Sequence, residues 1–85
     1  MAGHKDGPRT IRPVTFQETN SRYRTVNDAY GMGKALIQHC DQTDPDYLNA
    51  AKSCLDFAEG RKNPELVRAD FVAALEAAGV FVRES

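Results

Sequence analysis

Two cysteines and a histidine carry the side chains in this sequence that are best suited to metal binding or nucleophilic chemistry. Cys40 and Cys54 show no close C-x-x-C spacing, and His39 directly precedes Cys40. Adjacent residues on a helix point about 100° apart, so His39 is badly placed as a base for Cys40. A fourth metal ligand would have to come from His4. We therefore expect buried thiols, with no catalytic site, no metal and no cofactor.

The stretch Gly31-Met32-Gly33-Lys34 invites comparison with a phosphate-binding loop. Such a loop has the pattern G-x-x-x-x-G-K-[ST] between a strand and a helix, and its hydroxyl holds magnesium. Here the first glycine is misplaced and Ala35 stands where the hydroxyl is needed, so we expect no nucleotide site. In a helix each glycine costs about 1 kcal/mol relative to alanine. Either the helix starts late, or another backbone passes close to Gly31 and Gly33.

Basic residues near the amino terminus are the other candidates for a ligand site. Residues 1–34 contain six basic and three acidic side chains, whereas residues 35–85 contain five and nine. Three arginines would lie along one two-stranded ribbon, namely Arg12, Arg22 and Arg24. Alternation along a strand places Tyr23 on the face opposite Arg22 and Arg24, so its ring cannot stack a base beside them.

Two interpretations of these three arginines remain open. They can form a charged surface that protects an edge strand from aggregation. They can instead contact a partner or nucleic acid, in which case Lys5 and Arg9 of the amino-terminal segment add to the basic charge.

Length and composition indicate one small globular domain. The chain has 85 residues, 41% of them hydrophobic and 27% charged, with a formal net charge of −1. So short a chain buries about 60–65% of its unfolded surface, which leaves little room for a catalytic cleft. No apolar run approaches the roughly 20 residues of a membrane span, and the opening MAGHKDGPRT lacks the apolar core of a signal peptide. We therefore expect a cytoplasmic protein with no membrane contact, and two cysteines without close spacing fit such a reducing compartment.

The elements that must position these residues begin with a hairpin. Val14 and Phe16 alternate with polar residues, residues 19–21 supply a turn, and Tyr23 and Thr25 alternate with arginines. This pattern predicts two antiparallel strands with one apolar face. Because an isolated two-stranded ribbon is only marginally stable, that face must pack on the helices that follow.

Three helices are predicted from their capping residues. A polar cap followed by proline at the first helical position is a favourable start, and glycine is a favourable stop. The predicted limits are a Thr25 or Asn27 cap for the first helix, Asp44-Pro45 to Gly60 for the second, and Asn63-Pro64 to Gly79 for the third.

Each helix carries an apolar stripe at three- and four-residue spacing, which we expect to face the core. The stripes are Val26, Ala29, Tyr30, Gly33, Leu36, Ile37 and Cys40; Tyr47 or Leu48, Ala51, Cys54, Leu55 and Ala58; and Leu66, Val67, Phe71, Ala74, Leu75 and Ala78. Ser53 is predicted on the outer face of the second helix. The β-prone run 80–82 can add a strand to the hairpin.

The predicted fold class is therefore α+β, with an amino-terminal hairpin, three helices and a short carboxy-terminal strand, in the order ββααα(β). Residues 1–10 are predicted to form a flexible tail, because they carry few apolar groups to bury. Residues 11–85 are predicted to form the single small domain.

The second and third helices resemble those of a family of small proteins from rhizobium-like alphaproteobacteria, described as a domain of unknown function. The resemblance rests on Ala51, Cys54, Leu55, Gly60, Arg68-Ala69-Asp70-Phe71, Ala74 and Glu76-Ala77-Ala78-Gly79, and the hairpin and Asp28-Ala29 also fit. It covers residues 13–82. It implies an αβ domain and a bacterial cytoplasmic location, and it brings no activity. Such sequences often place a tryptophan near the end of the first helix, where this chain has residues 38–40.

Arg68 is the one residue within this resemblance with a distinctive polar head. We expect it to have a structural role, either paired with a carboxylate of the second helix or bonded to carbonyls at a helix end. The sequence predicts a non-enzymatic accessory or protein-interaction domain, which binds a protein partner or self-associates. The alternative is a nucleic-acid binder that uses the basic tail and hairpin.

Overall fold

Two long strands, three helices and a short third strand follow one another in the computed structural model, which describes residues 9–83. Their limits are β1 (Thr10–Thr19), β2 (Arg22–Asp28), α1 (Ala29–His39), α2 (Pro45–Ala58), α3 (Pro64–Ala77) and β3 (Val82–Arg83). The predicted α+β fold and its ββααα(β) order are confirmed. The predicted tail lies largely outside the described residues, and Thr10, its last residue, belongs to β1.

The three strands form one antiparallel sheet in the order β2-β1-β3. Val14 pairs with Val26, and Phe16 pairs with Arg24 on β2 and with Val82 on β3. Val14, Phe16 and Val26 are buried, so this face of the sheet is the one that packs on the helices. The predicted apolar face of the hairpin is thereby identified.

On β2 the arginines do not lie on the outer face of the sheet, although a charged outer surface was one of the two interpretations left open. Thr25 pairs with Thr15 and Tyr23 pairs with Gln17, which places all four on the outer face of the sheet. Arg24 lies on the core-facing side, because it shares that side with Val26 and stands opposite Phe16. Because Val26 is buried against the helices, the Arg24 side chain points to the same side and the Tyr23 side chain points to the outer face.

Capping side chains begin all three described helices. Asp28, and not Thr25 or Asn27, caps α1, and its Oδ1 accepts the Gly31 N–H at 2.7 Å. The predicted cap was wrong because β2 continues through Asp28, which leaves no room for an earlier helix start. The caps predicted at Asp44 and Asn63 are confirmed.

Positive φ angles identify the helix stops. Gly60 has φ of 81° and Gly79 has φ of 82°. Glycine adopts this left-handed conformation without the steric cost that a Cβ imposes, so both predicted helix ends are confirmed.

The core contains residues from the sheet and all three helices. Its buried apolar members are Ile11, Val14, Phe16, Val26, Met32, Ala35, Leu36, Ala50, Cys54, Phe57, Val67, Phe71, Ala74 and Leu75. In α3 the four buried residues were all predicted, whereas Leu66 and Ala78 of the same stripe are exposed.

The predicted inner faces of α1 and α2 were partly wrong. Tyr30 and Ile37 of α1 and Leu48 and Leu55 of α2 are all more than half exposed. The predicted residues Leu36 and Cys54 are buried, and α1 also buries Met32 and Ala35 while α2 also buries Ala50, Ser53 and Phe57. The reason is that α1 packs on both β2 and α2, and α2 packs on both α1 and α3, so the flanking helices rotate the buried arc away from the most apolar stripe.

The two glycines of α1 should respond differently to alanine. A Cβ on Gly33 would meet nothing within 4 Å, whereas a Cβ on Gly31 would lie 3.0 Å from both Val26 Cγ1 and Asp28 Oδ1. We expect Gly33→Ala to raise the free energy of unfolding by about 0.5–1 kcal/mol through helix propensity. Gly31→Ala should lower the stability, because Val26 is buried and Asp28 is held by its cap. Urea unfolding of both variants tests this, and an equal gain at both positions would contradict it.

Candidate interaction surface

Ion pairs engage two of the three arginines that were considered as possible ligand contacts. Arg12 Nη2 lies 2.8 Å from Glu65 Oε1 at the start of α3. Arg24 Nη1 lies 3.3 Å from Glu18 Oε2, and its Nη2 donates to Gln38 Oε1 at 2.7 Å. Arg22 is exposed at the start of β2. The structure therefore places Arg12 beside α3, apart from Arg22 and Arg24, which share one face of β2 near Glu18.

Glu18, Arg24 and His39 form a half-buried cluster between the hairpin and the end of α1, which we call the Glu18 cluster. Glu18 Oε2 lies 2.9 Å from His39 Nε2, and because an ionised carboxylate only accepts, Nε2–H is the donor. The His39 ring packs edge-on against Phe16 with centroids 5.5 Å apart, and the Arg24 guanidinium lies 5.9 Å from the Phe16 centroid. The cluster lies beside the buried Phe16 ring at the end of α1. From the sequence we expected buried thiols and did not identify this cluster.

The electrostatics of this cluster favour an ionised Glu18. The hydrogen bond from His39, supported by the positive charges of Arg24 and Arg22, holds the pKa of Glu18 below its ordinary value, against the opposing effect of partial burial. His39 is thereby committed to a structural hydrogen bond. The charge-assisted contact between Glu18 and His39 therefore holds β1 against the end of α1.

Acid should weaken the contacts of the Glu18 cluster, because they depend on an ionised Glu18 carboxylate. A carboxyl whose pKa is lowered by folding contributes stability that is complete above its unfolded pKa and is lost as the pH falls through the folded value. We expect the free energy of unfolding of the wild type to fall more steeply than that of Glu18→Gln as the pH drops below about 4.5. In His39→Phe the pKa of Glu18, followed by NMR, should rise toward its ordinary value. An unchanged titration of Glu18 in that variant would contradict the assignment.

Arg68 has partners that differ from both predicted ones. Its Nε donates to the Arg12 carbonyl at 3.0 Å and its Nη2 donates to the Pro13 carbonyl at 2.9 Å. These carbonyls belong to β1, at the irregularity between Thr10 and Val14 where the β1–β2 register shifts. Pro13 has no N–H to offer a sheet, so the guanidinium takes up carbonyls where regular pairing is interrupted. Arg68 thus fastens α3 to β1.

The two thiols have environments that disfavour their reactive form. Burial, with a smaller contribution from the Asp70 charge, raises the pKa of Cys54 to about 11. Burial also raises the pKa of Cys40, whose Sγ donates to the Ala74 carbonyl at 3.6 Å. Both cysteines are free thiols. Within residues 9–83, no group of three or more His, Cys, Asp or Glu is placed to hold a metal ion.

A buried serine was missed by sequence reasoning. Ser53 is 2% exposed, and its hydroxyl donates to Asp70 Oδ2 on α3. The same carboxylate oxygen lies 3.3 Å from Lys62 Nζ. This trio ties α2 to α3.

The backbone of β1 shows which way the strands direct their hydrogen bonds. Gln17 donates its N–H to the Phe81 carbonyl at 2.9 Å, on the β3 side of β1. Backbone groups of successive residues point to opposite sides of a strand. Thr15, two residues from Gln17, therefore also directs its backbone groups toward β3, while Val14 and Phe16 direct theirs toward β2.

The same alternation on β2 leaves three residues whose backbone N–H and C=O groups point away from β1. Val26 and Arg24, opposite Val14 and Phe16, direct their N–H and C=O groups toward β1. The hydroxyls of Thr15 and Thr25 approach to 2.9 Å, as expected for a pair that does not exchange backbone bonds. Within the described part of the chain, the sheet ends at β2, so the outward backbone groups belong to Tyr23, Thr25 and Asn27. We call these groups the β2 edge.

An edge strand in the hairpin was considered from the sequence, but the residues that point away from the sheet were not identified. The segment 22–28 begins with a base and ends with an acid, but this charge pattern does not show which of its residues face outward. Only the pairing of Gln17 with β3 reveals which residues of this segment face outward.

Exposed apolar side chains occupy one stripe on each of two packed helices. Tyr30 and Ile37 lie seven residues apart on α1, and Leu48 and Leu55 lie seven apart on α2. Their exposed fractions are 77%, 60%, 55% and 59% in that order. A spacing of two turns places each pair on one helix face, so both helices present apolar area to solvent.

Comparison with known proteins agrees with the resemblance seen in the sequence. No curated protein and no solved structure matches the chain. None of the helices in the described range is both long and apolar enough to cross a membrane. A family model described as "Protein of unknown function (DUF982)" matches residues 12–82, from Arg12 beside α3 to the first residue of β3. The chain therefore belongs to the DUF982 family.

Proposed function

We propose that this domain is a non-enzymatic protein-interaction module that binds a partner strand along the β2 edge. The observation that carries the proposal is the outward direction of the backbone groups of Tyr23, Thr25 and Asn27. Unpaired N–H and C=O groups on an edge strand are a template for another strand, and such pairing is a recurrent mode of peptide recognition.

The side chains on β2 support an edge open to a partner. Charged residues on an edge strand normally discourage strand addition. Arg24 does not serve that purpose, because its guanidinium turns inward to Glu18 and Gln38. Thr25 at the centre of β2 is small and exposed. The raised pKa values of the two thiols support a role outside catalysis.

A photoreactive phenylalanine analogue at position 23 tests the proposal in living cells. It replaces an aromatic ring that is already about half exposed beside the β2 edge. We expect a covalent adduct with a partner that is lost when Thr25→Pro is added, because proline removes the outward N–H. Thr25→Val is the matched control, since it removes the hydroxyl but keeps the N–H.

The same analogue at Ala73, exposed on α3, reports background capture. An adduct at position 23 that survives Thr25→Pro, or one no stronger than that at position 73, would contradict binding along the β2 edge.

Nucleic-acid binding through Arg12, Arg22 and Arg24 has less support, because Arg12 and Arg24 are paired with carboxylates. We expect no retardation of duplex or single-stranded DNA or RNA in a mobility-shift titration at physiological salt. Binding that is present and falls steeply as salt rises would favour the nucleic-acid alternative.

We further propose a bacterial, alphaproteobacterial origin and a cytoplasmic location. The resemblance in residues 13–82 supports the origin. The free thiols of Cys40 and Cys54 support a reducing compartment. Fractionation of the host cell with an antibody against the protein tests the location.

A further inference from the structure

We infer that the partner strand is β2 of a second copy of this chain, paired antiparallel about Thr25, so that two three-stranded sheets become one six-stranded sheet. This inference rests on the proposed function and names its partner.

Hydrogen-bond direction restricts the register of such a pair. Outward-facing residues must oppose one another for their N–H and C=O groups to bond. When Thr25 opposes Thr25 of the second copy, Tyr23 opposes Asn27 and the three residues of the β2 edge all meet outward-facing residues. All seven residues of β2 then have an opposite residue.

Charge complementarity favours the same register. It places Arg22 opposite Asp28 of the second copy, and the two-fold symmetry repeats this pair. Arg22 is exposed, and the Asp28 cap bond to Gly31 uses Oδ1, which leaves Oδ2 to accept from an arginine. Opposite charges directly across two strands stabilise their pairing.

The neighbouring registers that keep outward residues opposed are worse. Centring the pair on Arg24 leaves only residues 22–26 overlapping, with Arg22 opposite Val26 and Asp28 without an opposite residue on β2. Centring it on Val26 leaves only residues 24–28 overlapping and removes the partner of Arg22. The register centred on Thr25 is the one that satisfies both backbone and charge.

Sedimentation equilibrium of the full chain over a concentration series to about 1 mM tests the dimer, because a single strand pair is a small, transient interface. We expect a monomer–dimer equilibrium. Thr25→Pro should raise the dissociation constant about tenfold or more, since it deletes two symmetric hydrogen bonds. Its N–H does not serve the β1–β2 pairing, so the internal sheet is spared. Thr25→Val should stay within about twofold of the wild type.

Disulfide trapping tests the register. The two Thr25 positions would have Cα atoms about 5.5 Å apart, within disulfide reach. Thr25→Cys should therefore form a covalent dimer on mild oxidation, whereas Tyr23→Cys, which opposes Asn27, should not. Both variants share the thiols Cys40 and Cys54, and the wild type reports any background. This assay stays decisive even where Thr25→Pro fails to fold.

A wild type that is monomeric throughout, a dimer indifferent to Thr25→Pro, or trapping at position 23 and not at 25 would overturn the inference. A monomeric wild type that still gives the proline-sensitive photo-adduct at position 23 would leave the proposed function standing with a different partner. Loss of both results would remove both proposals.

Discussion

Replacing Phe16 by alanine is expected to lower the free energy of unfolding by about 3–5 kcal/mol. Phe16 is fully buried in the centre of β1, and its ring lies edge-on to Phe71 of α3 with centroids 6.4 Å apart. It also contacts the His39 ring and the Arg24 guanidinium. Truncation would open a cavity and loosen the sheet, α3 and the Glu18 cluster together.

The size of this loss matters because a domain of 85 residues is expected to have only about 4–13 kcal/mol of total stability. Urea unfolding followed by circular dichroism measures it. Tyr30→Ala is the matched control, since that aromatic ring is 77% exposed, and it should change stability by no more than about 0.5 kcal/mol. A similar effect at both positions would show that Phe16 is not the centre of the core.

Replacing Arg68 by methionine is expected to cost about 1–2 kcal/mol. The substitution keeps an apolar stem but removes both donors from the Arg12 and Pro13 carbonyls. Hydrogen bonds from a charged group are stronger than neutral ones, and access of water to this site reduces their net contribution. The loss should loosen α3 from β1 while the helices themselves persist.

Arg68→Lys separates the roles of charge and geometry. A lysine keeps the charge but lacks the planar fork that reaches two carbonyls at once, so it should recover no more than about half of the loss. Urea unfolding gives the energies, and amide hydrogen exchange of residues 10–14 reports the local loosening. Wild-type stability in Arg68→Lys would show that the charge alone suffices and that the two-carbonyl geometry is unimportant.

Local signals in the sequence were sufficient for the element order and for most helix limits. Asp44-Pro45, Asn63-Pro64, Gly60 and Gly79 each act through groups within a few residues, so their effect does not depend on distant parts of the chain. The same holds for the alternating pattern of β1. The cap of α1 was the exception, because β2 extends into the position where a helix start was expected.

Faces and partners depended on tertiary packing. Apolar periodicity marks a stripe on a helix, but which arc is buried depends on the neighbouring helices, so Tyr30, Ile37 and Leu55 are exposed while Ser53 is buried. Arg68 donates to the carbonyls of Arg12 and Pro13, which lie 56 and 55 residues earlier in the chain. Such long-range partners leave no local trace in the sequence.

The sequence by itself determined that the chain is a small α+β domain, where its second and third helices start and stop, and that Val14 and Phe16 of β1 face the core. The tertiary structure alone decided that the Arg24 side chain turns toward Glu18 and Gln38. It also decided that the backbone N–H and C=O groups of Tyr23, Thr25 and Asn27 point away from β1. The physical reason is that capping and alternation are satisfied within one segment, whereas the direction of a backbone hydrogen bond on β2 is set by β1, whose own direction is set by β3.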